Sequence, residues 1–401
     1  MVKLMGNFRS LARSIGLLLS LWDCAFQSTP FVATAQWLEG GRLGTTQRDW
    51  FSQRWREELG NGKGGCEEDG TYVYAWRMAG WGSNMNILSL AWANAIVDGR
   101  KDLALVVDHD NFFAPTVCVN ESNGVESVGW SCLFSSIPHV CVFRMQKDWK
   151  RFMTMRNVSW ADQLEATNNS TVEYFWEQRR HIRNTLQGTG VDMMKALSVG
   201  IDYIHSFLQP WVKDRMRSIL QKPEIASVRA GQYISMHVRR TDKLVYNEAR
   251  KTETKVYLER ASAYLKASKR NLSAANITGI WLSSDDDTVI AEVKELAPHY
   301  FPNAGENIAS IRVHNPTDVL NYGRLMVVTK DRMEYNQVVS LFAELQMLAG
   351  ADVFVGTFSS NIGRLVALMR ESLGFDRDSS VGADRAAAWF PGRRNLRRLE
   401  G

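Results

Sequence analysis

The residues richest in chemistry fall in four short stretches of the chain's second half. His237-Val-Arg-Arg-Thr-Asp-Lys243 sets a histidine, three cations and an aspartate within seven positions. Alternation over Tyr233–Val238 reads as a strand, with Ile234, Met236 and Val238 on one face and Ser235, His237 and Arg239 on the other. His237 and Arg239 therefore leave the strand on one side, followed by Arg240, Asp242 and Lys243. Such a group suits a diphosphate or a developing anion. By charge alone, a surface loop of ion pairs is the favoured alternative. In Ala351-Asp-Val-Phe-Val-Gly-Thr-Phe-Ser-Ser-Asn-Ile-Gly363, a buried strand ends in a glycine. Thr357, Ser359 and Ser360 then open a helix. Hydroxyls and backbone N–H groups at such a helix start can cradle phosphate, although serine there is also the ordinary N-cap.

Ser283-Ser-Asp-Asp-Asp287 follows the strand Ile280–Leu282. Its carboxylates, Asp285 and Asp286 among them, could bind a divalent cation or simply enrich a helix's first turn in acid. No histidine or further acid lies nearby in sequence, so no metal is expected. Glu344 sits on the helical stretch Tyr335–Ala349, at the border of an apolar arc of Val338, Leu341, Phe342, Leu345 and Leu348. From that border it faces either solvent or a cleft.

The elements that must hold these groups read as α/β. Strand-like Thr71–Trp76, the turn Gly80-Trp-Gly82, a helix over 85–97 and a strand Leu103–Val107 make one βαβ unit. Residues 172–220 read as helices broken at Gly188-Thr-Gly190 and Pro210. A second βα series places strands at 233–238, 280–282, 310–313 and 353–356, and helices at 255–266, 288–296, 335–349 and 363–371. From Asp376 the chain reads as polar. Two α/β lobes meet near residue 230, and ligands of open α/β sheets bind beyond the carboxyl ends of the strands. The expected organisation is a leader or anchor over 1–35, a stem over 36–65, lobes over 66–230 and 231–392, and a basic tail over 393–401.

Composition narrows the function classes. The chain has 401 residues, 45% of them hydrophobic and 23% charged, which is globular composition. Lys and Arg number 48 against 43 acids, so the charge is 48 − 43 = +5, without the basic excess of a nucleic-acid binder. The longest apolar run, Ile15–Trp22, is shorter than the roughly 20 residues of a membrane span. A polytopic membrane protein is excluded, which leaves anchoring through the N-terminus as the one membrane role. Lys3, Arg9, Arg13, that apolar run and Ala33-Thr-Ala35 read as a secretory leader. Sequons begin at Asn120, Asn157, Asn168, Asn169, Asn271 and Asn276. Beyond Cys24, the cysteines Cys66, Cys118, Cys132 and Cys141 form an even set without a CxxC spacing, so disulfides fit better than zinc.

In this order, HVRRTDK, SSDDD, the acid-bearing helix and ADVFVGTFSSNIGR resemble the α1,6-fucosyltransferases of glycosyltransferase family 23, with Gln209-Pro-Trp211 and Gly80-Trp-Gly-Ser-Asn84 in matching places. The likeness spans about residues 66–392. It implies a two-lobed, GT-B-like α/β fold with a C-terminal Rossmann-like lobe. The implied reaction transfers L-fucose from GDP-β-L-fucose, with inversion and without metal or other cofactor, to the innermost GlcNAc of an N-glycan or glycoprotein in the Golgi lumen. It also implies residue roles. His237 and Glu344 would meet guanine, and Arg239 the β-phosphate. Arg240, Asp242 and Lys243 would organise the donor side, and Asp285 and Asp286 would bind the donor or order the site. Ser360, with Ser359 beside it, would reach phosphate. Glu248 would be the base, with Arg239 and Lys243 assisting departure of GDP. Glu344 stands where the family has Asp, and Glu248 falls one residue later than the family's acid. The family's pattern implies Cys66–Cys141, leaving Cys118–Cys132. Another fucosyl acceptor, O-linked or free, and a non-catalytic glycan or nucleotide binder are the alternatives.

Overall fold

The computed structural model describes residues 71–75, 81–97, 102–107, 118–119, 126–127, 130–135, 140–144, 184, 193–240, 251–268, 273–286, 288–310 and 335–384. A first parallel sheet has the order β1 (Thr71–Ala75), β2 (Asp102–Val107), β5 (Val140–Arg144). Between these strands lie α1 (Trp81–Val97), the short antiparallel pair β3 (Cys118–Val119) and β4 (Glu126–Ser127), and the single turn α2 (Trp130–Leu133). Cys132 is disulfide-bonded.

The chain continues through α3 (Met193–Ser206), α4 (Pro210–Leu220) and α5 (Pro223–Arg229). Pro210 and Pro223 each fill a first helical position, where a missing N–H costs nothing. Gln209-Pro-Trp211 ties this region back to α2. Gln209 N–H donates to Leu133 O at 2.8 Å, its side-chain amide to Phe134 O at 3.2 Å, and the Trp211 indole to Cys132 O at 2.8 Å.

A second sheet follows, built from β6 (Gln232–Val238), α6 (Thr254–Ala267), β7 (Ile277–Ser284), α7 (Thr288–Tyr300), β8 (Ile308–Ala309), α8 (Tyr335–Ala349), β9 (Val353–Gly356), α9 (Asn361–Ser372) and β10 (Ser380–Gly382). Its order is β10-β9-β6-β7-β8, and every pairing is parallel. The chain starts at the middle strand, winds outward through β7 and β8, then returns to the other side of β6 with β9 and β10. That is the strand order of doubly wound nucleotide-binding sheets, and its switch point lies between β6 and β9.

As the central strand, β6 is covered on both faces. Ile234, Met236 and Val238 enter an apolar cluster with Tyr257, Leu258 and Ala261 of α6 and Val289, Val293 and Ala297 of α7. The alternate residues face α8. Tyr233 OH donates to Met347 O at 3.0 Å and Ser235 Oγ to Leu348 O at 2.8 Å, satisfying carbonyls that the last turn of α8 cannot pair within itself. Arg370 of α9, also buried, donates to Ala349 O at 2.9 Å and to Ala351 O. A second apolar core joins α1, α3, α4, α8 and α9. Where α1 crosses α9, a Cβ on Gly82 would lie 2.9 Å from Ile362 N and 3.0 Å from the Asn361 carbonyl carbon, so only glycine permits this approach.

Several elements differ from the sequence reading. Helix α7 runs on to Tyr300 through Pro298, which sits in its last turns. On the side of β7 away from β6, β8 covers Ile308–Ala309, just before the strand expected at 310–313; Ser310 is not in a strand, and 311–313 lie outside the described residues. The polar stretch after Asp376 contains an edge strand, β10, because Val381 packs into the core while its serine neighbours are buried and hydrogen-bonded.

Candidate donor-binding site

Three of the four stretches meet at the carboxyl ends of adjacent strands. His237 stands in register between Ser283 of β7 and Gly356 of β9. The β6–β9 junction is fastened at that level. Thr357 N–H and Thr357 Oγ1 both lie 3.2 Å from His237 O, and Tyr257 OH of α6 bonds Thr357 Oγ1. Helix α8 supplies the fourth stretch. Glu344 is buried there and hydrogen-bonded to Ser283, with the Arg239 charge acting on it. Because α8 is enclosed between the sheet and the α4 side of the core, residues all round it are buried, Glu344 and Gln346 included. The border position of Glu344 therefore points inward, toward the strand ends.

The electrostatics follow from burial. Glu344 is pushed up to about 7 by desolvation, against the opposing pull of Ser283 and Arg239. His237 is drawn down to about 4 by burial, and the nearby Arg239 charge adds to that shift. Its imidazole is thus neutral at physiological pH, and its Nδ1 has no partner among the described residues. A neutral histidine and a carboxyl poised near neutrality offer a donor–acceptor pair to a heterocyclic base.

Asp285 organises the cations. Its Oδ1 accepts the Arg240 backbone N–H at 2.8 Å, and its Oδ2 lies 3.3 Å from Arg239 Nε. Arg239 keeps its side chain 28% exposed, enough to meet a solvent-borne ligand. Arg240 goes the other way, onto the face lined by Val238. Its guanidinium makes two 2.9 Å bonds to the Glu292 carboxylate and one of 2.7 Å to Thr254 Oγ1. Glu292 is held down near 2 chiefly by Arg240. Arg240 thus anchors the turn after β6 to α6 and α7 and does not stand beside Arg239. Asp286 accepts Thr288 N–H at 3.0 Å and Thr288 Oγ1 at 2.6 Å, closing the first turn of α7. Its Oδ2 lies 3.6 Å from Arg240. Among the described residues, no group of three or more His, Cys, Asp or Glu is placed to hold a metal ion.

Ser360 is buried at the N-cap of α9 and makes no side-chain cap bond. Ser359 Oγ is also buried without a partner among the described residues. Two amides of this turn are already engaged: Phe358 N–H donates to Asp384 Oδ1 at 2.9 Å and Ser359 N–H to Asp384 Oδ2 at 2.8 Å. The sequence reading missed Asp384, which lies beyond β10 and carries no motif. Asp242, Lys243 and Glu248 lie outside the described residues.

A parallel sheet with this order, carrying a cation and hydroxyls at its switch point, has the architecture of doubly wound nucleotide-binding α/β lobes. Residues 203–380 match the family described as alpha-(1,6)-fucosyltransferase N- and catalytic domains. An alpha-(1,6)-fucosyltransferase of Caenorhabditis elegans is 26% identical over 149 residues, 37% of this chain and 24% of that protein. Over residues 203–380 the chain is similar to the alpha-(1,6)-fucosyltransferase family, and it spans about a quarter of the length of that curated relative. Among solved structures, a mutant of Arabidopsis thaliana FUT1 in complex with GDP is similar at TM-score 0.41 and 12% identity, covering 79% of this chain and 72% of that one. POFUT1 in complex with GDP gives TM-score 0.38 and 12% identity, covering 75% and 94%.

Proposed function

We propose that this chain transfers L-fucose from GDP-β-L-fucose, with inversion, to the innermost GlcNAc of N-glycans in α1,6 linkage. The observation that carries the reading is the meeting of His237 and Arg239, Ser283 and Asp285, Glu344, and Thr357–Ser360 at one sheet end. On this reading, the Glu344 carboxylate accepts guanine N1–H and N2–H, a pair that adenine does not present. Arg239 and the Ser360 hydroxyl take the diphosphate, where negative charge grows as the bond from fucose C1 to phosphate oxygen breaks. Glu248 removes the proton of the attacking acceptor hydroxyl and Lys243 assists the departing GDP. Asp285 acts by holding Arg239, and Asp286 by closing α7. The positive charge comes from side chains, so no metal is required.

The proposed compartment is the Golgi lumen, supported by the leader-like start, the sequons and the disulfide at Cys132. The proposed pairings remain Cys66–Cys141 and Cys118–Cys132. Incubation with GDP-fucose and an agalacto biantennary N-glycan, read by mass and linkage, tests the activity. One added deoxyhexose at O6 of the reducing-end GlcNAc is expected. Transfer only to other acceptors in a panel would move the assignment to another fucosyltransferase, and GDP binding without any transfer would leave a binding protein.

A further inference from the structure

The turn between β9 and α9 is gripped from two sides. On one side, the Asp384 carboxylate accepts the N–H groups of Phe358 and Ser359 at 2.9 and 2.8 Å. On the other, Arg364 donates from Nε to Phe358 O at 2.7 Å, from one terminal nitrogen to Ser359 O at 3.1 Å, and from the other to Asn361 Oδ1 at 3.1 Å. The N–H and C=O groups of both Phe358 and Ser359 therefore each have a charged partner, while Ser360 N–H donates to Thr357 O at 3.1 Å. Little room is left to adjust: a Cβ on Gly363 would lie 2.4 Å from Thr357 O, so the first turn of α9 already closes tightly on the strand end.

Two consequences follow. An incoming phosphate cannot use the Phe358 and Ser359 amides while a carboxylate fills them, because the like charges would repel. Among the described residues, what the turn can still present is its hydroxyls: Ser359 Oγ, buried without a partner, and the Ser360 hydroxyl at the helix N-cap, which makes no cap bond of its own. The cost of placing that hydroxyl is met by the fold before any ligand arrives, which is preorganisation.

We propose that Asp384 and Arg364 are positioning residues that preset the Thr357–Ser360 turn, so that the donor's diphosphate meets the Ser360 hydroxyl rather than the turn's leading amides. The proposal rests on the donor-site reading above. Asp384 is the internal anion of the turn and Arg364 its brace, and neither touches the ligand.

GDP titrations of the full chain by calorimetry, on wild type, Asp384→Asn, Ser360→Ala and the double variant, test this. Loss of a charge-assisted hydrogen bond at Asp384 should weaken GDP by about tenfold or more. Ser360→Ala should weaken GDP also, and the double variant should be no weaker than the worse single one, because both changes act through one hydroxyl. Additive losses, or an Asp384→Asn variant that binds GDP as wild type does, would overturn the proposal. If Asp384→Asn fails to fold, Arg364→Lys, which keeps the charge but loses the fork, carries the same cycle with Ser360→Ala. A wild-type chain that binds no GDP would overturn the donor-site reading itself, and that result is distinct from GDP binding with additive losses.

Discussion

The sharpest test of the site is its pH dependence, which turns on Glu344. Burial raises its carboxyl to about 7, so the unliganded protein is about half protonated there at neutral pH. Guanine recognition requires the carboxylate, because a protonated carboxyl offers a donor where N1–H and N2–H both need acceptors. Binding must therefore expel a proton below neutrality. With one group titrating near 7, the carboxylate fraction falls from about nine-tenths at pH 8 to about one-tenth at pH 6, and GDP affinity should fall about tenfold over that span. The sign is fixed: a carboxyl raised by burial weakens anionic binding as pH drops. His237 adds nothing in this window, since it stays neutral down to about 4. The terminal phosphate of GDP also titrates near 6, so Glu344→Gln supplies the baseline. That variant should lose one of two charge-assisted bonds, about 1.5–3 kcal/mol or roughly 10–150-fold, and its remaining pH slope should be that of the phosphate alone. Calorimetry in two buffers of different ionisation enthalpy would count the proton released. An identical pH slope in wild type and variant would refute the reasoning, as would a variant that binds GDP unchanged.

Other perturbations reach different parts of the assembly. Arg239→Ala should abolish transfer without unfolding, and Arg239→Lys should fail largely because the bidentate fork is lost; circular dichroism beside a transfer assay checks both. Glu248→Gln should keep GDP affinity within a few-fold while turnover drops by roughly 10²–10⁴, as for loss of a general base, and stopped-time transfer assays would read it. Transfer should persist in EDTA, with chelated and metal-supplemented samples giving equal rates. Arg370→Met would strip donors from Ala349 O, Ala351 O, Ser379 Oγ and Ser380 Oγ inside the core, so urea midpoints should reveal a loss of about 3 kcal/mol or more. Glu292 is held near 2 by Arg240, so its contribution to stability is present above the ordinary carboxyl range and is lost as pH falls toward 2; in Glu292→Gln that acid limb of the melting profile should flatten.

The parts of the site legible in sequence are those written by local period. Alternation along β6 separated His237 and Arg239 from Ile234, Met236 and Val238, and the structure keeps that division. The same alternation places Arg240 with Val238, which explains why Arg240 reaches α6 and α7 although it follows Arg239 directly. Helical period could bring Glu344 only to the edge of an apolar arc. Its burial depends on packing around all sides of α8, which is tertiary information. Asp384 was illegible for the same reason: its partners lie 25 and 26 residues back and are backbone amides, which leave no trace in residue type. Helix α5 and strand β10 escaped because each is short and amphipathic signal needs length to rise above noise.

A common construction links the three βα turns at the switch point. After β6 the turn is held by Asp285 through the Arg240 N–H and by Glu292 through the Arg240 guanidinium. After β7 it is held by Asp286 through Thr288, and after β9 by Asp384 through Phe358 and Ser359. In each case a carboxylate takes the backbone amides or the cation that would otherwise be the strongest general attractors of anions. Exposed helix starts and loose arginines would hold any phosphate. With those groups committed internally, what the described residues leave for a ligand is narrower: Arg239 partly exposed, the Ser359 and Ser360 hydroxyls, the neutral His237, and Glu344. A site built this way selects by arrangement more than by net charge. Inorganic phosphate and free fucose phosphate should therefore bind far more weakly than GDP, because neither reaches Glu344 and Ser360 together.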